Sequence, residues 1–324
     1  MLLLVELTLT LVSPSAPHRH VTTPRAAVQM SSGADADSLK WIEKEIGAIV
    51  KSQRMGGSGW ASFSRHTTTE RELFVKTSSR NLEQMFYGEA LGLRAMHATG
   101  TIRIPEVLKF ADSESGSGSY IVMEYLDLGR RADKRTFGRR MAEMHLATPS
   151  AAEARDGKFG FDVTNTIGGT PQPNAWCDDW VQFFREQRIG HQIRTAGDQK
   201  LREEWTQVLE ATDDLRALFE GVEVKPSVLH GDLWSGNIAS VGGEPCIFDP
   251  ATYYGHHEAE WGMSWCASLG PDFWAGYREL IPKDKGFEKR EVLYELYHKL
   301  NHYNLFGGGY LYDSMGLMKQ LCRD

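Results

Sequence analysis

The sequence of 324 residues predicts an α+β fold of two lobes, a small N-terminal lobe of antiparallel strands and a larger, mainly helical C-terminal lobe. Short β-rich segments separated by Gly- and Ser-rich turns indicate the first lobe, at residues 38–125. Apolar residues at helical spacing indicate the second lobe, at residues 126–324. Residues 1–37 have a different composition and are predicted to be a leader outside the fold.

The N-terminal lobe is predicted to contain one helix before its strands and one helix between them. The first helix is expected from about Ser38 to Lys51. The second helix begins near Asn81, because the apolar residues that follow repeat at helical period and share one face. These residues are Leu82, Met85, Phe86, Leu93 and Met96. Strands are predicted at 72–76 and 120–126, with a Ser- and Gly-rich hairpin tip at 113–119.

The C-terminal lobe is predicted to contain several helices whose apolar side chains each fall on one face. The predicted segments are Thr136 to Ala147, Trp176 to Arg188, Leu201 to Phe219 and Arg290 to Phe306. No internal repeat is visible in the sequence.

A polar motif follows an apolar strand that ends near His230. The run from Val228 reads Val-Leu-His-Gly-Asp-Leu-Trp-Ser-Gly-Asn-Ile and places Asn237 five positions after Asp232. Protein kinases use this spacing in a loop whose aspartate accepts the proton of the attacking hydroxyl and whose asparagine binds Mg²⁺. The ordinary alternative is that Gly231 and Asp232 form a plain turn after a strand.

A second apolar strand, from Pro245 to Phe248, ends in Asp249. A carboxylate at this point suits the aspartate that links the metal to the ATP phosphates. Two such strand ends in this order favour the catalytic interpretation over a plain turn, and they predict a protein-kinase-like fold. The Arg and the Phe-Gly pair of the protein-kinase motifs are absent, which favours a kinase that acts on a small molecule.

An ion pair between Lys76 and Glu89 is predicted upstream of these motifs. Lys76 ends a β-rich run, as does the lysine that contacts the α- and β-phosphates in kinases. Glu89 falls on the apolar face of the following helix, where a carboxylate is costly to bury unless a cation meets it. The alternative for Glu89 is a solvated position at the edge of that face.

Two further segments are candidates for nucleotide contacts. Small residues at Gly56, Gly57 and Ser58 would let backbone N–H groups approach phosphate oxygens, although such clusters also form ordinary hairpin turns. Glu124, Tyr125 and Leu126 form a connector after an apolar strand, where the edge of an adenine would meet backbone groups.

From about Trp41 to its C-terminus, the sequence resembles the fructosamine kinases, or ketosamine-3-kinases, within the wider group of aminoglycoside and choline kinases. The most specific segment is Asn165 to Asn174, which reads Asn-Thr-Ile-Gly-Gly-Thr-Pro-Gln-Pro-Asn. A second is the Tyr-Tyr-Gly-His run at residues 253–256. Both distinguish this family from generic aminoglycoside phosphotransferases. The segments around Lys76, Glu89, Asp232 and Asp249 match as well.

The resemblance implies a kinase that transfers phosphate from ATP to the 3-hydroxyl of a ketosamine, the Amadori adduct of a sugar on a protein or a free amine. The product breaks down and frees the amine, so the expected process is deglycation. The resemblance makes Asp232 the proton acceptor, Asn237 and Asp249 the Mg²⁺ ligands, Lys76 the phosphate lysine with Glu89 as its partner, and 124–126 the adenine connector.

On the substrate side we assign Asp232, Trp234 and His230. Trp234 could stack on the apolar face of a sugar, or it could be a core tryptophan under the loop. Another small-molecule kinase, acting on an aminoglycoside, a choline-like amine or a sugar, stays open, as does a catalytically silent nucleotide-binding relative.

The sequence departs from the family pattern at two places. Ser58 stands where many eukaryotic relatives have a cysteine linked to redox control, so no thiol switch is expected there. After His256, the run His-Glu-Ala-Glu-Trp-Gly replaces a more usual Arg-Glu-x-Asp-Leu-Ala, which makes the substrate contacts near Glu260 uncertain.

Composition excludes several other classes of partner. A net charge of -7 without a basic stripe argues against nucleic acid as the main partner. After residue 40 no run is long and apolar enough to span a membrane. The four cysteines are far apart, which indicates neither a zinc site nor a disulfide framework. His256 and His257 form a pair without an identifiable third metal ligand. For the oligomeric state, monomer and homodimer both stay open.

The leader is poor in acidic residues. Between Leu7 and Ala34 there is none, whereas Ser, Thr, Pro, Arg and His recur. This composition is typical of an organellar targeting segment, with plastid favoured over mitochondrion and a cleavage point near 28–30. The alternative is a disordered tail on a cytoplasmic protein.

Overall fold

The computed structural model describes residues 33–129 and 132–323. The elements of the N-terminal lobe are α1 (Gly33–Glu45), β1 (Ile49–Gly57), β2 (Ser62–Thr68), β3 (Glu72–Ser78), α2 (Leu82–Met85), α3 (Tyr87–His97), β4 (Val107–Asp112) and β5 (Ser119–Glu124). The strands form one antiparallel sheet in the order β1-β2-β3-β5-β4.

The C-terminal lobe is mainly helical. Its helices are α4 (Lys134–Leu146), α5 (Ala152–Arg155), α6 (Trp180–Phe183), α7 (Gly190–Ala196), α8 (Gln199–Ala211), α9 (Ser264–Ala267), α10 (Pro271–Arg278), α11 (Phe287–Phe306) and α12 (Tyr310–Leu321). Its strands are β6 (Asn165–Ile167), β7 (Thr170–Gln172), β8 (Ser227–Leu229), β9 (Ile238–Val241), β10 (Glu244–Ile247) and β11 (Tyr253–Gly255), which pair as β6-β7, β8-β11 and β9-β10. The predicted α+β fold is therefore confirmed.

The alternation of side chains along β3 gives the sheet two different faces. Leu73 and Val75 are buried together with Ala34 and Ile42 of α1 on one face. Lys76 is one residue further along the strand, so it points to the opposite face, where α3 packs. This alternation explains why a lysine can follow a buried valine and still reach the helix that carries Glu89.

The prediction for the N-terminal helix and the leader boundary was wrong in detail. The helix α1 starts at Gly33, and residues 49–51, which were predicted as helix, belong to β1. Gly47 has a φ of 152° and ends the helical path, after which the β-branched Ile49 and Val50 favour a strand. The leader boundary at residue 37 therefore lies inside the fold. Residues 1–32, which carry the targeting prediction, lie outside the described residues.

Asp37 shows why the fold includes the start of α1. Its carboxylate accepts hydrogen bonds from the Ser115 N–H at 3.0 Å, the Ser113 hydroxyl at 2.7 Å and the Glu114 N–H at 2.8 Å. The bond from the Ser115 N–H contributes most, and together these hydrogen bonds lower the pKa of Asp37 to about 2. The helix is thus attached to the β4–β5 hairpin tip, which was correctly predicted from its Ser and Gly residues.

Two predicted helices of the C-terminal lobe have different bounds. In the segment predicted from Trp176, Cys177 pairs with Phe159 as an isolated bridge, and α6 begins only after Asp179, whose side chain accepts the Gln182 N–H at 2.9 Å. A π-helical turn, Phe184–Ile189, then leads into α7. The segment predicted as 201–219 breaks at 213–215, where three consecutive residues have positive φ. Asp tolerates this conformation, and the fully buried Leu215 holds it in place.

The remaining helices and strands that the sequence predicted are present within a few residues of their expected bounds, and α3 is separated from α2 by a turn at Phe86. The β6–β7 hairpin, α10 and α12 were not predicted. Across residues 33–129 and 132–323, no helix combines the length and the apolarity needed to cross a membrane.

Candidate active site

Lys76 lies between the two lobes and contacts a carboxylate from each. Its Nζ is 2.7 Å from Glu89 Oε1 on α3, and it also forms an ion pair with Asp249 of the C-terminal lobe. Burial alone would lower the pKa of Lys76, but the charges of Asp249 and Glu89 outweigh burial and raise it. Lys76 is therefore a buried cation, and the ion pair predicted with Glu89 is present.

A cavity opens beside this ion-pair cluster and is lined by both lobes. Lys76, Glu89 and Asp249 line it together, while Met123 and Leu126 contribute apolar surface. A cluster of charged groups in a cavity that is otherwise lined mainly by apolar side chains suits a ligand that has a phosphate chain and a planar base.

The loop after β8 is held by Glu260. Its carboxylate accepts the backbone N–H of His230 at 2.7 Å and that of Gly231 at 2.9 Å, and His145 Nε2 lies 3.3 Å away. Burial would raise the pKa of Glu260, but its hydrogen bonds, first that with His145 and then that with the Gly231 N–H, help to lower it. The sequence left the substrate contacts near Glu260 uncertain, and the structure shows this side chain buried and bound to the backbone of the loop.

His230 is also a structural residue and does not contact substrate, contrary to its assignment from the sequence. It is fully buried, and both ring nitrogens are used. Nδ1 accepts the Asp232 N–H at 3.2 Å, so Nε2 carries the proton and donates to the Phe248 carbonyl at 2.8 Å. Burial lowers the pKa of His230, which keeps the ring neutral. His230 therefore ties the Asp232 loop to the strand that precedes Asp249.

Asp232 is a carboxyl group with a raised pKa. Burial is the main cause, followed by the negative charges of Asp249 and Glu260, and together they raise the pKa to about 7. A carboxyl with a pKa near the working pH can accept a proton from an alcohol and release it again.

Asn237 points its amide oxygen away from the backbone. Its Nδ2 donates to the carbonyls of Asp232 at 2.9 Å and Asp249 at 3.2 Å. Two carbonyl acceptors require the NH₂ group on that side, so Oδ1 remains for another ligand. An amide oxygen together with the Asp249 carboxylate is a set of hard oxygen donors that fits Mg²⁺.

Trp234 is not a core residue. Its side chain is 39% exposed, and its ring lies over Gly236, where an added Cβ would come within 2.2 Å of the ring. Of the two interpretations from the sequence, a tryptophan buried under the loop is excluded. An exposed aromatic face beside Asp232 is the arrangement that a sugar ring can use.

Gly56 and Gly57 end β1, and Ser58 begins the turn of the β1–β2 hairpin. Gly56 has a φ of 130°, and Ser58 closes the turn, since its hydroxyl accepts the N–H groups of Trp60 and Ala61, both at 3.2 Å. Ser62 follows this turn, and its neighbour Phe63 pairs with Lys76 across β2 and β3. The hairpin therefore ends near the ion-pair cluster.

The connector after β5 borders the cavity with Glu124, Tyr125 and Leu126. The Glu124 N–H donates to the Glu106 carbonyl at 3.0 Å and the Tyr125 N–H to the Glu72 carbonyl at 3.1 Å. The Glu124 carboxylate is already paired, since the Arg103 guanidinium donates to it at 2.5 Å.

The histidine pair at 256–257 gains a third neighbour, Glu258, in the structure. Glu258 is, however, paired with Arg290 through two bonds of 2.6 and 2.8 Å, and His256 Nδ1 bonds to the Tyr294 hydroxyl at 2.7 Å. The positive charge of Arg290 beside the Glu258 carboxylate disfavours a metal ion. The cluster instead connects residues 256–258 to α11 through buried hydrogen bonds.

Comparison with known proteins agrees with this geometry. A family model described as Fructosamine kinase matches residues 35–324. The rice (Oryza sativa subsp. japonica) "Protein-ribulosamine 3-kinase, chloroplastic" is 43% identical over 96% of this chain and 92% of its own length. A crystal structure from Thermobifida fusca, described as that of a "putative fructosamine-3-kinase", has a TM-score of 0.73 and 27% identity, covering 88% of this chain and 98% of that one.

An aminoglycoside phosphotransferase in ternary complex with AMP-PNP and hygromycin B has a TM-score of 0.57 at 15% identity, over 88% of this chain and 96% of that one. This similarity concerns the fold, which is that of the kinase-like phosphotransferases. Within this class, the chain belongs to the fructosamine kinase family.

Replacing Asp232 with Asn should stabilise the ligand-free protein at alkaline pH. The pKa of this carboxyl is about 7 in the folded protein against a usual value of 3.8, so the folded state holds the proton more tightly. The wild type therefore loses stability as pH rises from about 4 to about 7, and a neutral amide avoids this loss. We expect a gain in the free energy of unfolding of at most about 4 kcal/mol at pH 8, vanishing near pH 4.

Urea unfolding at both pH values measures this difference. The exposed Asp272→Asn variant serves as the control and should match the wild type at both. An Asp232→Asn variant that is less stable than the wild type at pH 8 would contradict the raised pKa.

Proposed function

We propose that the protein is an ATP-dependent ketosamine 3-kinase, which phosphorylates the 3-hydroxyl of fructosamines or ribulosamines and so initiates deglycation. The observation that carries the proposal is the contact of Lys76 with both Glu89 and Asp249 in a cavity that also reaches the connector. Membership of the fructosamine kinase family supports the same reaction.

The nucleotide binds along the cavity in this proposal. Lys76 contacts its phosphates, and Glu89 holds the lysine in place. The hairpin turn with Gly56, Gly57 and Ser58 covers the phosphate chain. The adenine lies against the connector 124–126, where the backbone N–H groups of Glu124 and Tyr125 are already bonded within the lobe. Leu126 is therefore the connector residue that we assign to the base edge.

Asp232 acts as the general base on the acceptor hydroxyl. Its pKa of about 7 lets it take the proton as the hydroxyl oxygen attacks the γ-phosphate, while the bond to the leaving ADP oxygen breaks in line. The exposed face of Trp234 supports the sugar. Positioning and charge neutralisation supply most of the rate enhancement, since no covalent intermediate is needed.

Asn237 and Asp249 bind Mg²⁺ in this proposal. Among the described residues, Lys76 is in direct contact with both Glu89 and Asp249, and Asp232 lies close enough for the charge of Asp249 to raise its pKa. This excess of negative charge favours a divalent cation when the nucleotide phosphates enter. When bound by these residues, the ion would offset the negative charge of the nucleotide phosphates.

The acceptor is a ketosamine on a protein or on a free amine. The name of the rice relative supports a ribulosamine attached to protein. A net charge of -7 is also compatible with substrates that carry the cationic amine of a modified lysine.

With ATP and Mg²⁺, the protein should phosphorylate ribuloselysine and fructoselysine at the 3-hydroxyl. Phosphorus and carbon NMR would identify the position of the phosphate, and choline, an aminoglycoside and free ribose would complete the panel. Asp232→Asn should lower turnover about a hundredfold to ten-thousandfold while the affinity for Mg-ATP stays nearly unchanged.

Asp272→Asn, an exposed change of the same chemistry, is the matched control and should keep wild-type turnover. Preferred phosphorylation of choline or of the aminoglycoside would reject the ketosamine assignment, and near-normal turnover of Asp232→Asn would reject the assignment of the base.

We also propose that the leader directs the protein to the plastid. The rice relative carries the word chloroplastic in its name, and the acid-poor composition of residues 7–34 supports the same destination.

A fluorescent reporter fused behind residues 1–32 should accumulate in plastids of plant cells, because these residues carry the targeting composition and precede α1. The control is a reporter behind a leader of the same length in which the arginines are replaced by glutamate, which should stay in the cytosol. Diffuse cytosolic signal from the unaltered leader, or mitochondrial signal, would overturn the assignment.

A further inference from the structure

We infer that the β6–β7 hairpin positions the active site, with Asn165 and Gln172 as its positioning residues. These two amides hold the backbone that follows Asp249, and the same hairpin supports the helix that carries Glu89. The inference rests on the proposed metal role of Asp249.

The two amides donate to consecutive carbonyls of the loop after Asp249. Gln172 Nε2 donates to the Ala251 carbonyl at 3.0 Å, and Asn165 Nδ2 donates to the Thr252 carbonyl at 2.8 Å. Gln172 Nε2 also donates to Asn165 Oδ1 at 2.8 Å, so the two side chains hold each other. Ala251 and Thr252 are almost fully buried, so their carbonyls depend on these protein donors.

A second layer of contacts fixes the orientation of both amides. The Tyr297 hydroxyl of α11 donates to Gln172 Oε1 at 2.6 Å, and Asn174 Nδ2 donates to Asn165 Oδ1 at 2.8 Å. Asn174 is held in turn by Arg188, whose Nη2 donates to Asn174 Oδ1 at 2.7 Å. All five side chains are buried. Rotating either side-chain amide by 180° would therefore place its NH₂ group against another donor, or its oxygen against another acceptor, in the core.

The held segment determines where both catalytic carboxylates lie. Asp249 has a φ of 56°, a conformation that surrounding contacts must maintain in a residue with a side chain. The Ala251 N–H donates to the His230 carbonyl at 2.9 Å, and a Cβ on Gly231 would come within 2.3 Å of the Ala251 carbonyl. The Ala251 peptide is therefore fixed between Gln172 and the loop of Asp232, and a shift of this peptide would move both loops.

The helix α3 rests on the same hairpin and the same loop. A Cβ on Gly88 would lie 2.3 Å from the Asn165 Cβ, and one on Gly92 would lie 2.7 Å from Thr252 Oγ1. Glu89 follows directly after the first of these close contacts. The distance between Glu89 and Asp249, which Lys76 bridges, is thus set by Asn165 on one side and Thr252 on the other.

The test uses Gln172→Met, which keeps the length of the side chain and removes its donors. In the free protein, amide hydrogen exchange over residues 249–254 should become faster than in the wild type. Calorimetry with a non-hydrolysable ATP analogue should show that about tenfold more Mg²⁺ is needed for half-maximal binding, because the loop with Asp249 is less well fixed. The metal-free affinity for the analogue should stay within about twofold.

Two further variants keep the test decisive. Tyr297→Phe removes one hydroxyl and leaves the ring, so it should shift the Mg²⁺ dependence in the same direction by about twofold to threefold even where Gln172→Met folds poorly. Thr166→Ala, on the same hairpin but outside the amide network, should behave as the wild type in exchange and in Mg²⁺ dependence.

A lowered Tm with unchanged exchange over 249–254 and unchanged Mg²⁺ dependence in both Gln172→Met and Tyr297→Phe would overturn the inference, because the hairpin would then contribute to stability alone. None of these measurements uses a ketosamine. One outcome is that the wild type fails to phosphorylate ketosamines while Gln172→Met and Tyr297→Phe still show the expected changes in exchange and in Mg²⁺ dependence. In that case the proposed function fails and the positioning role stands.

Discussion

The Lys76 ammonium, bound by one carboxylate from each lobe, is the interaction on which the site depends. A lone lysine or a lone glutamate would be costly to bury here, so Lys76 and Glu89 each require a partner of opposite charge. Glu89 reaches the lysine only because α3 lies close against the sheet, and Asp249 reaches it only because the two lobes meet along the cleft. Fold and site are therefore specified by the same contacts.

Around this cluster, polar side chains bind the backbone of the loops that carry the reactive groups. Asn237 donates from its side-chain nitrogen to two backbone carbonyls, which leaves its side-chain oxygen for another ligand. Glu260 holds the N–H groups of two residues that precede Asp232. The backbone around each reactive group is thus fixed before any ligand arrives, which reduces the reorganisation needed in the transition state.

The sequence could predict those parts of the site in which chemistry demands a residue type at a fixed spacing. The spacing of Asp232 and Asn237, the strand end at Asp249 and the pairing of Lys76 with Glu89 are of this kind. It could not predict the roles of Glu260 and His230, since each acts on backbone groups that only the folded chain brings near. The buried amides Asn165 and Gln172 gave no periodic signal, although their segment distinguished the family. The helix breaks at 213–215 and at Gly47 escaped prediction because they depend on backbone conformations that tertiary packing maintains.

The most direct test of this account is a double-mutant cycle on Lys76 and Glu89, read as the free energy of unfolding in urea without ligand. Lys76→Met and Glu89→Gln are measured singly and together. If the buried cation and its carboxylate depend on each other, the two changes should be non-additive by about 1–3 kcal/mol, with the double variant more stable than the sum of the singles implies. Effects that add to within about 0.5 kcal/mol would show that the pair is not coupled, and would contradict the account.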